Sequence, residues 1–171
     1  LVRVPIAAMQ DISFPQRGPG YLDIPFADNA LREAARQWIL SDLDIYEEDI
    51  RVQGQELVTV RASIPSNRAF ASYEEALVHL RGPRLPDSTE IFWQQAMLDA
   101  LIEYPIRSAA SNFSIDPALA RLGLRTRTVL RFVLPDGSVR AFDYRGNPGL
   151  VRLDPRWHQA AFRLIGLGFE H

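Results

Sequence analysis

The stretch Thr126 to Tyr144 constrains the fold most. Two runs of apolar and β-branched residues, Thr126–Leu134 and Ser138–Tyr144, flank Pro135-Asp136-Gly137. Proline presets φ near the value a turn needs, and the Asp-Gly pair reaches positive φ cheaply. The segment therefore predicts a β-hairpin, and a hairpin needs further strands or helices to cover its apolar face.

Those further elements are marked along the chain. Leu1 to Ala8 reads as a first strand, and Pro15, Gly18, Pro19 and Gly20 mark a turn-rich stretch before an extended segment, Tyr21 to Pro25. Leu31, Ala35, Trp38 and Ile39 recur at helical spacing opposite Arg32, Glu33, Arg36 and Gln37, which predicts a helix capped by Asp28 or Asn29 and running to about Leu43. Ile50–Gln53 and Glu56–Ile64 read as a hairpin turning at Gly54-Gln55. Ser72-Tyr73-Glu74-Glu75 fits a capping box opening a short helix, which Gly82-Pro83 stops.

Glu90 to Tyr104 mixes helix and strand formers. It is read as a strand because Asn112–Ile115 and Thr126–Leu134 look extended and need a partner. Asp154-Pro155 pairs an N-cap with proline at the first helical position, so a last helix begins there. The expected fold is α+β, mainly β: an antiparallel β-sandwich-like domain with two inserted helices and a C-terminal lead-in helix. Residues 1–153 form the body, and 154–171 are read as the start of a first membrane helix that continues past His171.

Composition narrows the functions. A chain of 171 residues with 47% apolar content has the size of one globular domain. Its formal net charge of -2 argues against general nucleic-acid binding and against attraction to a membrane surface by bulk charge. All 19 basic residues are arginine, which fits a codon bias, and the absence of cysteine removes disulfides, thiolate metal sites and a cysteine nucleophile.

Few residues advertise chemistry. His79, His158 and His171 show no HxH, HxxxH or HExxH spacing, so His79 and His158 read as surface or half-buried imidazoles. No GxSxG elbow is present, and the carboxylates Glu74-Glu75 and Glu47-Glu48-Asp49 read as solvated surface. Arg17-Gly18-Pro19-Gly20 reads as a plain loop, since no helix follows it directly. Trp38 and Trp93 read as core, in a helix and a strand. Trp157 stands where an aromatic ring would lie at a membrane–water interface. No catalytic residue is assigned.

The segments Leu1–Met9, Gly20–Asp23 and Trp93–Ile106, and above all Leu153–Ala160 and Gly166–His171, resemble the HupE/UreJ-like proteins over nearly the whole chain. In that family an amino-terminal region precedes several membrane helices, the first with a pattern like G-F-x-H-I-x-x-G-x-D-H. Gly168-Phe169-Glu170-His171 matches its beginning. The resemblance implies a bacterial inner-membrane protein whose body lies on the extracytoplasmic side, in contact with the lipid bilayer through downstream helices. It also implies a part in transport of nickel or another transition metal, with His171 as the one candidate metal position, in the intact protein. No cofactor is expected in residues 1–171 themselves, and no enzyme activity. One alternative is a membrane-tethered β-rich ligand-binding or interaction module unrelated to metal; a second is a hydrolase, which would require a polar cleft with a shifted acid or base that the sequence does not advertise.

Overall fold

The computed structural model describes residues 1–123 and 126–153. Along the chain it forms β1 (Val2–Pro5), β2 (Gln16–Arg17), β3 (Tyr21–Leu22), α1 (Asp28–Ala35), β4 (Leu43–Glu47), β5 (Ile50–Arg51) and β6 (Glu56–Ser63). It continues with α2 (Tyr73–Arg81), β7 (Met97–Glu103), β8 (Phe113–Pro117), β9 (Arg127–Val133), β10 (Val139–Arg145) and β11 (Val151–Arg152). The fold is α+β and mainly β, with several antiparallel sheets and two helices. The expected lead-in helix lies outside the described residues.

A three-stranded sheet in the order β1-β7-β6 forms the centre. Its register sets Val4 beside Leu98 beside Ala62, and Val2 beside Ala100 beside Val60, so one face is apolar. That face joins Leu31, Ala34, Ala35 and Trp38 of the first helical segment in the main core. The intervening row, Arg3 beside Asp99 beside Arg61, points to the opposite face because side chains alternate along a strand. There α2 lies across the sheet, with Ala76 and Leu80 buried.

A four-stranded sheet, β11-β8-β4-β5, adds Leu43, Ile115 and Leu153 to the same core. The Tyr104 hydroxyl ties the two sheets together by donating to the Leu43 carbonyl at 2.9 Å. Burial first, and then the negative charge of Asp44, push this phenol's pKa up to about 12.

The hairpin of β9 and β10 turns at Pro135-Asp136-Gly137 as expected, with Gly137 at φ 85°. The Ser72 half of the expected capping box is present, with Ser72 Oγ accepting the Glu75 backbone N–H at 3.2 Å but no return bond to the Glu75 side chain among the described residues, and the helix stops at Gly82 as expected. The strand expected within 90–104 is present as β7, after a 3-10 turn at Trp93–Gln95. Its partners are β1 and β6, whereas β8 pairs with β4 and β9 with β10.

Several expectations are corrected. The first strand ends at Pro5, which has no N–H for the ladder, and Ile6–Ala8 form a 3-10 turn. In the first helix Asp28 is already helical and Ala27 holds the N-cap position with no side-chain cap. The helix ends in a π-turn at Arg36–Leu40, short of Leu43. There Ser41 donates its hydroxyl to the Gln37 carbonyl at 2.6 Å.

The largest correction concerns Gly54-Gln55, which does not turn a hairpin. Ile50–Arg51 folds back on Tyr46–Glu47 across Glu48-Asp49, and both turn residues take left-handed φ, 50° and 66°. Two positive φ values suit a two-residue hairpin, although non-glycine residues pay roughly 1–2 kcal/mol each for them. Asn112 offsets that strain: Glu48 accepts its backbone N–H at 2.7 Å and donates its own N–H to the Asn112 carbonyl at 2.9 Å. Gly54, at φ 82°, redirects the chain into β6.

Candidate functional site

A buried polar cluster sits on the second face of the central sheet. Asp99 occupies the middle of β7 between Leu98 and Ala100, and all three residues are fully buried. A carboxylate there has lost its water and needs full replacement of its hydrogen bonds. Arg3 supplies a fork from β1, with Nε donating to Oδ1 and Nη2 to Oδ2, both at 2.7 Å. From α2, His79 Nε2 lies 2.8 Å from Oδ2.

The cluster extends outward in layers. Arg3 Nη1 donates to the Asn67 carbonyl at 2.6 Å, and its guanidinium lies 4.4 Å above the Phe70 ring. Arg61, on the far side of Asp99, instead donates to the Gly82 carbonyl at the end of α2, at 3.2 Å. With three hydrogen bonds on its two oxygens, Asp99 anchors β1, β7, α2 and, through Arg3, the Asn67–Phe70 segment. Ser63, on the same face of β6, has a buried hydroxyl with no partner among the described residues. His79 is thus a half-buried imidazole, as read from the sequence, and its Nε2 is engaged by a buried carboxylate.

A second carboxylate corrects the reading of Glu47-Glu48-Asp49 as solvated surface. Glu47, at the end of β4, is 2% exposed. Its oxygens accept the backbone N–H groups of Arg107 (2.9 Å) and Ser108 (2.9 Å) and the Ser111 hydroxyl (2.7 Å). The Arg107 backbone bond leads the causes that bring the Glu47 carboxyl down to about 2, with Ser111 and Ser108 adding to it against the opposing effect of desolvation. The loop from Arg107 to Asn112 is thereby wrapped around one side chain. Glu74 and Glu75 are exposed, as expected.

That loop forms one wall of a groove of about 410 Å³. Phe113, Phe132, Leu134 and Leu153 make its apolar lining, and Ser111 and Asn112 its polar edge. Phe113 and Phe132 meet across it with ring centroids 6.5 Å apart. The groove lies between the β9–β10 hairpin and the four-stranded sheet, beside the place where the described chain ends.

Trp38 is buried in the π-turn with Arg121 4.0 Å above its ring, so core packing accounts for it. Trp93 is not in a strand: it lies in the 3-10 turn before β7, against Phe14. Arg17-Gly18-Pro19-Gly20 closes the small β2–β3 hairpin. His158, Trp157 and the candidate metal position His171 lie outside the described residues. Among the described residues, no three His, Cys, Asp or Glu side chains gather as metal ligands would, and no helix is long and apolar enough to cross a membrane. Compared with protein-family models, with curated proteins and with solved structures, the chain matches none.

Proposed function

We propose that residues 1–153 are the extracytoplasmic module of a HupE/UreJ-like bacterial inner-membrane protein, docking or gating for transport of nickel or another transition metal and catalysing no reaction. The observation that carries this reading is the run Leu153–Ala160 with Gly166–His171, which resembles the entry to that family's first membrane helix. The body's architecture is compatible with it. Leu153 is buried and donates its N–H to the Phe113 carbonyl at 2.9 Å, completing the edge of the four-stranded sheet just before the resemblance turns to membrane sequence. His79 supports a structural role for the body, since its Nε2 is engaged by Asp99. On this reading metal handling falls to His171 and to the membrane part.

The groove beside Leu153 favours a second reading, a tethered module that binds a ligand unrelated to metal. Two measurements on the intact protein decide. An alkaline phosphatase reporter inserted after Leu153 is expected to be active, and an inactive reporter with an active cytoplasmic fluorescent counterpart overturns the topology. Cellular nickel accumulation is expected to fall several-fold on deletion of the gene and on His171→Ala. Accumulation of nickel, cobalt and zinc that ignores the deletion overturns the metal role and leaves the second reading.

A further inference from the structure

Charge is unevenly distributed along the described chain. Residues 1–123 carry eleven arginines against seventeen carboxylates, while residues 126–153 carry five arginines against two aspartates. The region that is cationic in an otherwise acidic body is the β9–β10 hairpin and the strand leading out of it.

The outer face of the hairpin is formed by Arg127, Val129, Arg131 and Val133 on one strand and by Val139, Ala141, Asp143 and Arg145 on the other. Val129 and Val139 are each 55% exposed, and Leu150, between the hairpin and β11, is 50% exposed. Arg131 fastens the hairpin to the body by donating to the Phe70 and Ala71 carbonyls, and Arg127 is paired with Asp143. Arg145 and Arg152 are exposed, Arg145 sharing the field of Asp143 with Arg127 and Arg152 lying 4.0 Å from an Asp49 carboxylate that is itself 74% exposed. From Arg145 to Leu153 the chain spans at most about 28 Å, so both cations lie within that distance of Leu153, where the described residues end.

We propose that this hairpin, together with the Leu150–Arg152 segment that follows it, forms a membrane-contact surface: Arg145 and Arg152 bind the phosphates of anionic phospholipid headgroups, and Val129, Val139 and Leu150 sit among them. The inference rests on the topology proposed above and names the lipid chemistry that the body meets. Charge complementarity selects the occupant, since a net cationic, partly apolar face suits an anionic interface that presents phosphate to guanidinium forks, and the acidic remainder of the body is repelled from it. The body would then lie with this hairpin toward the bilayer.

The test is flotation of chain 1–171 with vesicles at low salt, using phosphatidylcholine alone or with about one third phosphatidylglycerol. Wild-type protein is expected to prefer the anionic vesicles. One arginine near such a surface contributes roughly fivefold in binding, so Arg145→Gln with Arg152→Gln should lower binding to them about twenty-fivefold. Binding to phosphatidylcholine should not change, because the apolar segment after residue 159 is common to both proteins. Arg145→Lys with Arg152→Lys should keep binding within a few-fold. Arg36→Gln with Arg81→Gln, exposed positions elsewhere, makes the same change in net charge and should leave binding within twofold. Equal binding to both vesicles, or an equal loss in the Arg36/Arg81 pair, overturns the inference. The reporter after Leu153 separates the two ideas: active without anionic preference, it sinks the membrane contact alone, and inactive, it sinks the topology.

Discussion

Replacing Asp99 with asparagine keeps the shape of the side chain and removes its charge. Asparagine also turns one acceptor into an N–H donor, which then faces a donor of either Arg3 or His79. Removing one member of a buried ion pair costs about 3–5 kcal/mol, because the remaining charge stays desolvated. Arg3 and His79 keep 14% and 17% side-chain exposure, so some water reaches both and the lower end, about 3 kcal/mol, is expected. For a domain of this size that lowers the melting temperature by about 6–12 °C. Urea titration at pH 7, followed by far-ultraviolet circular dichroism, gives the free energy directly. The double variant with Arg3→Gln should lose less than the sum of the single losses, with a coupling of roughly 0.5–3 kcal/mol. A loss below about 1 kcal/mol for Asp99→Asn, or strict additivity with Arg3→Gln, would refute the view that this carboxylate anchors the sheet.

Glu47 makes the fold acid-sensitive in a defined window. Its folded pKa is depressed from 4.5 to about 2, so its stabilisation is full above the unfolded value and lost as pH falls through the folded one. Wild type should weaken from pH 4.5 toward 2, and Glu47→Gln should flatten that part of a stability–pH curve. Ser63→Ala removes a buried hydroxyl with no partner among the described residues, and urea titration should show a change between zero and about 1 kcal/mol of added stability. A Cβ at Gly137 would meet no atom within 4 Å, so the cost of Gly137→Val comes chiefly from backbone strain at φ 85°, about 1 kcal/mol or more, read as a lower melting temperature.

Local signals were legible where the chemistry is local. The Ser72 cap and the Pro135-Asp136-Gly137 turn each depend on residues within a few positions, and both stand as read. The Gly54-Gln55 reading failed because the favoured turn residues lay beside the wrong strand, while the turn at Glu48-Asp49 is held by Asn112, 64 positions away in sequence. The partner of β7 was illegible for the same reason: β1 and β6 compete with every other extended run, and only packing decides. Asp99 did leave a signal, a single charge in the apolar run from Met97 to Ile102, which a strand in that place has to bury and pair. Its partners could not be named, since Arg3 is 96 positions away.

That separation shapes how the protein comes into being. β1 is synthesised well before β7, its one sheet neighbour among the described residues, and its arginine reaches its carboxylate only when residue 99 has emerged. At about 5–20 residues per second this leaves the strand waiting for roughly 5–20 seconds, with unpaired N–H and C=O groups and an apolar edge of Val2 and Val4. Closing so long a loop also places β1 among the late events of refolding. Among the described strands β1 waits longest for its partner, so a chaperone or a translocation channel that shields Val2–Pro5 until Asp99 has emerged would keep that edge from pairing elsewhere.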